Sequence, residues 1–491
     1  MPNHVQKIVR AVAERGVELI AAWNRNRLPH TGADYLVGIH APMQAELTLE
    51  RLAATGSIPA GLNGRYLKIG ANPVKADAAG HHWFLGDGMV HGIALQDGAV
   101  RWYRNRWIGS RLAAKALGRA PSPGPRRGRN DTVNTNVAEI GGRTFALVEA
   151  GSYPVELSET LGEQCYNPFD GTLGGSFSGH PHQDPLTGEV HAVAYDGSVW
   201  DTVRYVVVSD AGKVVRDVPI AVQHGPCIHD CAFTARFVIV LDLPVTFSMR
   251  SVLGGHLFPF RWNPAHQARV GLLPRDGSPA DIIWCDLDPC FVFHVANAFD
   301  DGDGHVVLDV IAYDTMFASG ASGLDALGRF ERWTVDPVTR RVGRQVMDPT
   351  PQEFPRIDER RFGQSHRYVY TVSVPPDGNP QLAGATRLYK HDLQTGTRRV
   401  HDFGDTHLPG EFVFVPETAD ADEDQGWLLG FVVNSEAATT DFVILNARNF
   451  EAAPTATVRL PHRIPPGFHG NWFPLKKCPV RLQPEEGGQA V

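Results

Sequence analysis

Cysteine is scarce: six residues in 491, Cys165, Cys227, Cys231, Cys285, Cys290 and Cys478. So sparse a set cannot form a disulfide framework, and with no signal peptide ahead of it the expected compartment is the cytoplasm. A basic excess is missing too. Forty-six Lys and Arg against 54 Asp and Glu leave a net charge of −8, without the positive footing that nucleic-acid binding demands. No apolar run is long enough to span a bilayer. No Gly-x-Gly-x-x-Gly follows a strand to receive a dinucleotide, and no internal repeat is legible. What is plentiful is glycine (50) and proline (36), set between short runs of aromatic and β-branched residues. Many short strands broken by turns imply an all-β sheet assembly.

Sustained helical periodicity is confined to residues 4–24, where Val5, Ile8, Val9, Val12, Leu19, Ile20 and Trp23 recur three and four apart among charged residues. This is an amphipathic helix, whose apolar stripe either packs on the body of the protein or lies on a membrane surface. From Gly61 onward the texture is strand and turn. Runs such as Gly64–Gly70, Trp83–Leu95, Ala99–Trp107, Thr144–Glu149, Phe237–Asp242, Val306–Val310 and Trp427–Val433 alternate with Gly- or Pro-bearing turns. Two stretches interrupt them: a basic, proline-bearing insertion at about 107–130, and an apolar, loop-like one at 245–275 carrying Leu257, Phe258, Phe260 and Trp262. The second reads as a cap over the sheets or as a greasy entrance for a lipophilic substrate. The expected organisation is a lead-in over 1–40, one catalytic domain over 41–482 and a polar tail over 483–491.

Histidines in apolar, strand-like settings are the candidate chemistry. They include His180 in Ser178-Gly179-His180-Pro181, His229 in Cys227-Ile228-His229-Asp230, His294 in Phe293-His294-Val295 and His469 in Phe468-His469-Gly470. A radial array of sheets would bring such distant positions to one axis, each on its own strand. Residue pattern alone does not choose His180 over His182, His229 over His224, or His469 over His462. Cys227 and Cys231 around His229 suggest zinc, but no second matching pair accompanies them, and buried thiols are the preferred reading.

Seven blocks in order carry a family resemblance: Gly86-Asp87-Gly88-Met89; Ser178-Gly179-His180-Pro181 with Asp184 to Glu189; His229-Asp230 with Leu241 to Pro244; His294 with Asn297; Gly410 to Pro416; Asp422 to Trp427; and Phe468-His469-Gly470. Together they resemble the carotenoid cleavage oxygenases over roughly residues 40 to 480. The resemblance implies a seven-bladed β-propeller capped by helices and loops, with one Fe(2+) per chain held by His180, His229, His294 and His469. It implies Glu149, Glu353 and Glu411 behind three of these ligands, where a carboxylate accepting one ring N–H fixes the tautomer that faces the metal.

The implied reaction is oxidative scission of a carbon–carbon double bond in a conjugated chain, with both atoms of O2 ending in two carbonyl products and no nicotinamide or flavin. Tyr103 resembles the tyrosine with which stilbene-cleaving members hold a phenol, and Tyr103 and Phe293 are the candidate substrate contacts. The lysine that should precede the first glutamate is replaced by Val148, which favours a long apolar carotenoid or apocarotenoid over a hydroxystilbene. A retinoid-type isomerase is the remaining alternative. The implied partners are a lipophilic polyene and O2, with peripheral membrane contact at the N-terminal helix; oligomeric state is not legible.

Overall fold

A computed structural model describes residues 4–28, 31–79, 81–128, 130–197, 199–319, 325–376 and 383–475. Cys478 and the polar tail expected at 483–491 lie outside them. The described residues are mostly strand with few helices, in a propeller-like arrangement of antiparallel sheets. Most sheets are meanders of consecutive strands. Asn136–Ile140, Arg143–Leu147, Val155–Leu157 and Gln164–Tyr166 form one; His182–Gln183, Val190–Asp196, Val199–Val208 and Val214–Ala221 form another; Gln352–Arg356 through Thr397–Asp402 form a third. An eight-stranded sheet joins two such meanders through a single parallel pair, Asp286 with Arg341.

The ends of the chain close the arrangement. Ala54–Gly56 adds to Ala456–Leu460 in the last sheet, while Gly470–Pro474 adds to Gly64–Ala71 in the first. Each terminal strand therefore covers an edge that would otherwise present unpaired amides and carbonyls. Strands between neighbouring sheets are buried on both faces: every residue of Val306–Tyr313 is buried, as are the first eight of Phe291–Asp300. That is why they read as continuous apolar runs rather than alternating ones.

The N-terminal segment is a helix, α1 (His4–Arg25). A second helix, α2 (Arg111–Leu117), is capped by the Ser110 hydroxyl, which accepts from the Ala113 amide, and ends at Gly118 in the left-handed region. A third, α3 (Met249–Leu253), receives the end of α1: Asn24 Nδ2 donates to Leu253 O at 2.7 Å and Arg25 Nε to Gly255 O at 3.0 Å. Gly255 is required there, since a Cβ would lie 2.5 Å from the Arg25 nitrogen. Leu19, Ile20 and Trp23 on α1 remain 59%, 50% and 58% exposed. No helix among the described residues is long and apolar enough to cross a membrane.

The stretch read as a loop-like cap, 245–275, divides in two. Val245–Phe247 and Phe260–Trp262 form a two-stranded ribbon around α3, but Arg269–Pro274 is a strand of the eight-stranded sheet. Val270, Leu272 and Leu273 are fully buried there, so those residues are core rather than cover.

Candidate metal centre

The four histidines meet. His180, His229, His294 and His469 are all buried, and each offers a ring nitrogen within 4.8 Å of the others. Only His294 lies within a strand; the other three sit on irregular segments just before one, His180 ahead of His182–Gln183, His229 ahead of Ala232–Phe233 and His469 ahead of Gly470–Pro474. The expectation of one strand per ligand is corrected accordingly. Freed from the ladder, those segments can turn their rings inward. In Phe291–Asp300 the pairing register slips between Val292 and Val295 and again between Val295 and Asn297, a local irregularity of the kind that re-aims a side chain.

Behind three of the rings stand the expected carboxylates. His229 Nδ1 donates to both oxygens of Glu149 (2.9 and 3.0 Å), His294 Nδ1 to Glu353 Oε2 (2.5 Å) and His469 Nδ1 to Glu411 Oε1 (3.0 Å). The carboxylates are themselves held. Tyr195 donates to Glu149 at 3.0 Å and Tyr313 to Glu353 at 2.9 Å, while Glu411 receives the Gly470 amide at 2.8 Å and faces Arg356 at 3.3 Å. Burial opposes the ionisation of Glu411, but Arg356 and His469 outweigh it and hold the carboxyl at about 2. Burial, reinforced by the other three histidines, keeps His180 well below the ordinary imidazole value and therefore neutral.

These residues fit a metal ion. The Nε2 atoms of His294 and His469 face each other at 3.2 Å. His180 Nε2 is buried without a hydrogen-bond partner among the described residues. An orphaned buried nitrogen is costly; a bound divalent cation would remove the cost, and imidazole donors suit a first-row transition ion.

The competing histidines are engaged elsewhere. His182 Nε2 bonds Asp230 at 2.7 Å, His224 contacts His266 at 3.1 Å, and His462 contacts the Tyr103 hydroxyl at 3.1 Å. Cys227 and Cys231 are buried thiols raised far above their usual range, mainly by desolvation. Tyr103 is a correction. It is wholly buried, its hydroxyl sits between His91 and His462, and it does not line the cavity described next. Strand alternation through Val100–Trp107 turns it into the core between sheets. Tyr195, Tyr313 and Arg356 escaped the sequence reading. Nothing in their local pattern distinguishes them from ordinary strand residues.

A cavity of about 950 Å³ abuts the cluster at His229, His294 and His469. Its walls include Trp83, Phe84, Phe258, Phe293, Phe354 and Phe468; Val148 and Leu112 also line it. Ring contacts knit this wall: Phe84 lies 5.7 Å from Phe293 and 6.0 Å from Phe468. A second cavity of about 350 Å³ reaches the cluster at His180, His294 and His469, with a mixed lining in which His182, Asp230, Arg356 and Glu411 stand beside Val190, Phe354 and Phe362.

A propeller-like all-β chain gathers four buried imidazoles, three of them backed by carboxylates, beside an aromatic cavity, an arrangement that could hold a metal ion without haem. The chain belongs to the carotenoid cleavage oxygenase family, since the family model described as "Retinal pigment epithelial membrane protein" matches residues 40–474. It is 40% identical to a carotenoid cleavage oxygenase of Mycobacterium tuberculosis, over 90% of this chain and 97% of that protein. Among solved structures it is similar to the Pseudomonas brassicacearum lignostilbene dioxygenase (TM-score 0.82, 26% identity, 91% of this chain and 99% of that one). It is likewise similar to cobalt-substituted Synechocystis ACO (TM-score 0.79, 26% identity, 88% and 97%).

Proposed function

We propose that this protein is an Fe(2+)-dependent dioxygenase that cleaves one double bond of a carotenoid or apocarotenoid with O2 to give two carbonyl products. The observation that carries this reading is the contact between the four-histidine cluster and the aromatic cavity of about 950 Å³. His180, His229, His294 and His469 would hold the iron, which supplies the binding and activation of O2. Glu149, Glu353 and Glu411 fix the three rings they bond, so that each presents Nε2. Phe84, Phe258, Phe293, Phe354 and Phe468 seat a rigid polyene, exclude water and steady electron deficiency developing along the chain. The related M. tuberculosis protein carries the name carotenoid cleavage oxygenase, and Val148 on the cavity wall favours an apolar chain over a phenol.

In this reading the eight-stranded sheet counts as two blades of a seven-bladed propeller, divided at the lone Asp286–Arg341 pair. The exposed Leu19, Ile20 and Trp23 support peripheral contact with a membrane, from which a lipophilic substrate is drawn. The free thiols Cys227, Cys231, Cys285 and Cys290 suit a reducing, cytoplasmic setting.

The test is incubation of the iron-loaded chain under 18O2 with a panel of apocarotenals, carotenoids and hydroxystilbenes, followed by product masses. Two shorter carbonyl compounds from a polyene, each carrying 18O, are expected. Cleavage of hydroxystilbenes alone would move the substrate to the lignostilbene class, and an intact carbon chain with altered double-bond geometry would replace the reaction with isomerisation.

A further inference from the structure

Asp230 follows a candidate ligand, yet its hydrogen bonds go to His182 and to two backbone amides rather than to the four rings. It is 4% exposed, and three N–H groups converge on its carboxylate. Oδ1 receives His182 Nε2 and the Cys231 amide, both at 2.7 Å; Oδ2 receives the Val295 amide at 2.8 Å. Each donor lies next to a metal-binding position in the chain. His182 is two residues beyond His180, Cys231 two beyond His229, and Val295 directly follows His294.

The Val295 bond explains how such a tie arises. On both sides of Val295 the ladder with Val306–Tyr313 slips out of register, and the Val295 amide finds its acceptor in Asp230 rather than leaving a buried donor unpaired. His182 is held on its other side by stacking on Phe362, with ring centroids 4.1 Å apart and planes at 11°. The fourth histidine has the same device from a different residue: Glu411 Oε2 receives the amide of Gly470, the residue after His469.

We infer that Asp230 is a positioning residue for the metal centre, one carboxylate that locks the backbone beside His180, His229 and His294 into a common geometry. The inference rests on the proposed reading of the four histidines as metal ligands. Asparagine cannot replace the carboxylate. It offers one acceptor oxygen and a donating amino group, so at least one of the two backbone amides is left facing a donor, and the segments it joins loosen.

The experiment titrates Co2+ into the metal-free full chain in competition with a chelator, reading both the cobalt d–d bands and the affinity, with thermal unfolding in parallel. Asp242 supplies the comparison. It is fully buried and bonds His266 and Arg269 at 2.8 Å each, but it is neither adjacent to a candidate ligand in the chain nor bonded to one. Asp230→Asn is expected to weaken Co2+ binding by about 10–100-fold and to alter the d–d bands of the folded protein. Asp242→Asn is expected to lower the unfolding temperature while leaving both cobalt readouts as in the unmodified chain. If Asp230→Asn does not fold, His182→Phe, which keeps the stack on Phe362 and removes one tie, is expected to shift the d–d bands and weaken Co2+ binding in the same direction. Unchanged affinity and bands in whichever of these variants folds, or equal weakening in Asp242→Asn, would overturn the inference. An unmodified chain that binds no Co2+ would instead remove the metal centre itself, and the inference with it.

Discussion

Glu411 faces Arg356 across 3.3 Å, whereas Glu149 and Glu353 are held by the neutral hydroxyls of Tyr195 and Tyr313. The three carboxylates behind the histidines are therefore not equivalent. One guanidinium and one divalent cation would together carry a charge equal and opposite to that of three carboxylates. Arg356 also donates to Gly470 O at 3.1 Å and Asn471 Oδ1 at 2.7 Å, which ties the charge balance to the strand that follows His469.

Glu411→Gln leaves the Arg356 guanidinium without its buried counter-ion. It is expected to cost about 3 kcal/mol of stability in the metal-free protein as well as about 10–100-fold in metal affinity. Glu149→Gln is expected to cost a similar factor in metal affinity with a much smaller loss of stability, because Glu149 borders the large cavity and bonds Tyr195 rather than a cation. Urea unfolding of the two metal-free variants checks this, and equal destabilisation would contradict it.

Lys68 is buried, and desolvation brings its ammonium down from 10.5 to about 8 despite the nearby Glu411. Between those two pH values the unfolded chain holds a proton that the folded chain has shed, so the Lys68 contribution to stability rises with pH across that window. Lys68→Met is expected to be more stable than the unmodified chain by about 3 kcal/mol at pH 7, since each tenfold loss of proton affinity on folding costs about 1.4 kcal/mol. That advantage should shrink toward zero by about pH 10. Denaturant unfolding of both chains at pH 7, 8.5 and 10 measures it; a constant difference would mean that Lys68 keeps its ordinary affinity for protons.

Val148→Lys places an ammonium on the wall of the aromatic cavity. Turnover of an apolar polyene is expected to fall at least about tenfold, a barrier increase of about 1.4 kcal/mol. Hydroxystilbene cleavage is not expected to appear in exchange, because the Tyr103 hydroxyl is committed to His91 and His462 outside that cavity. Assaying both substrate classes decides the matter, and robust stilbene cleavage by the variant would contradict it.

Replacing Leu19, Ile20 and Trp23 together by serine removes the exposed apolar side chains of α1. Sedimentation with liposomes is expected to fall at least about tenfold, since each such side chain contributes about 1.5–3 kcal/mol when fully buried, while activity on detergent-dispersed substrate stays unchanged. Equal sedimentation of the two chains would assign membrane contact elsewhere or nowhere.

The distribution of short strands was legible from residue pattern, because buried strands leave continuous apolar runs such as Val306–Val310. The histidine set was legible only through motif resemblance. His180 and His182 are two residues apart, and what separates them is a partner, Asp230, 48 positions away along the chain. Tyr103 was misread for a related reason: a tyrosine in an alternating strand carries no local mark telling which of two faces meets a cavity and which meets the core. Tyr195, Tyr313 and Arg356 act through contacts 46, 40 and 55 residues distant in sequence. Neither periodicity nor turn chemistry encodes contacts of that range.

The most direct test of the account is X-ray absorption at the metal edge of the chain loaded with one equivalent of Fe(2+), beside the same measurement on His294→Ala. The account predicts a first shell in the unmodified chain that contains four imidazole nitrogens with the outer-ring scattering they produce, and loss of bound metal in the variant. A first shell of oxygen donors without imidazole scattering, or an unchanged spectrum in His294→Ala, would contradict it.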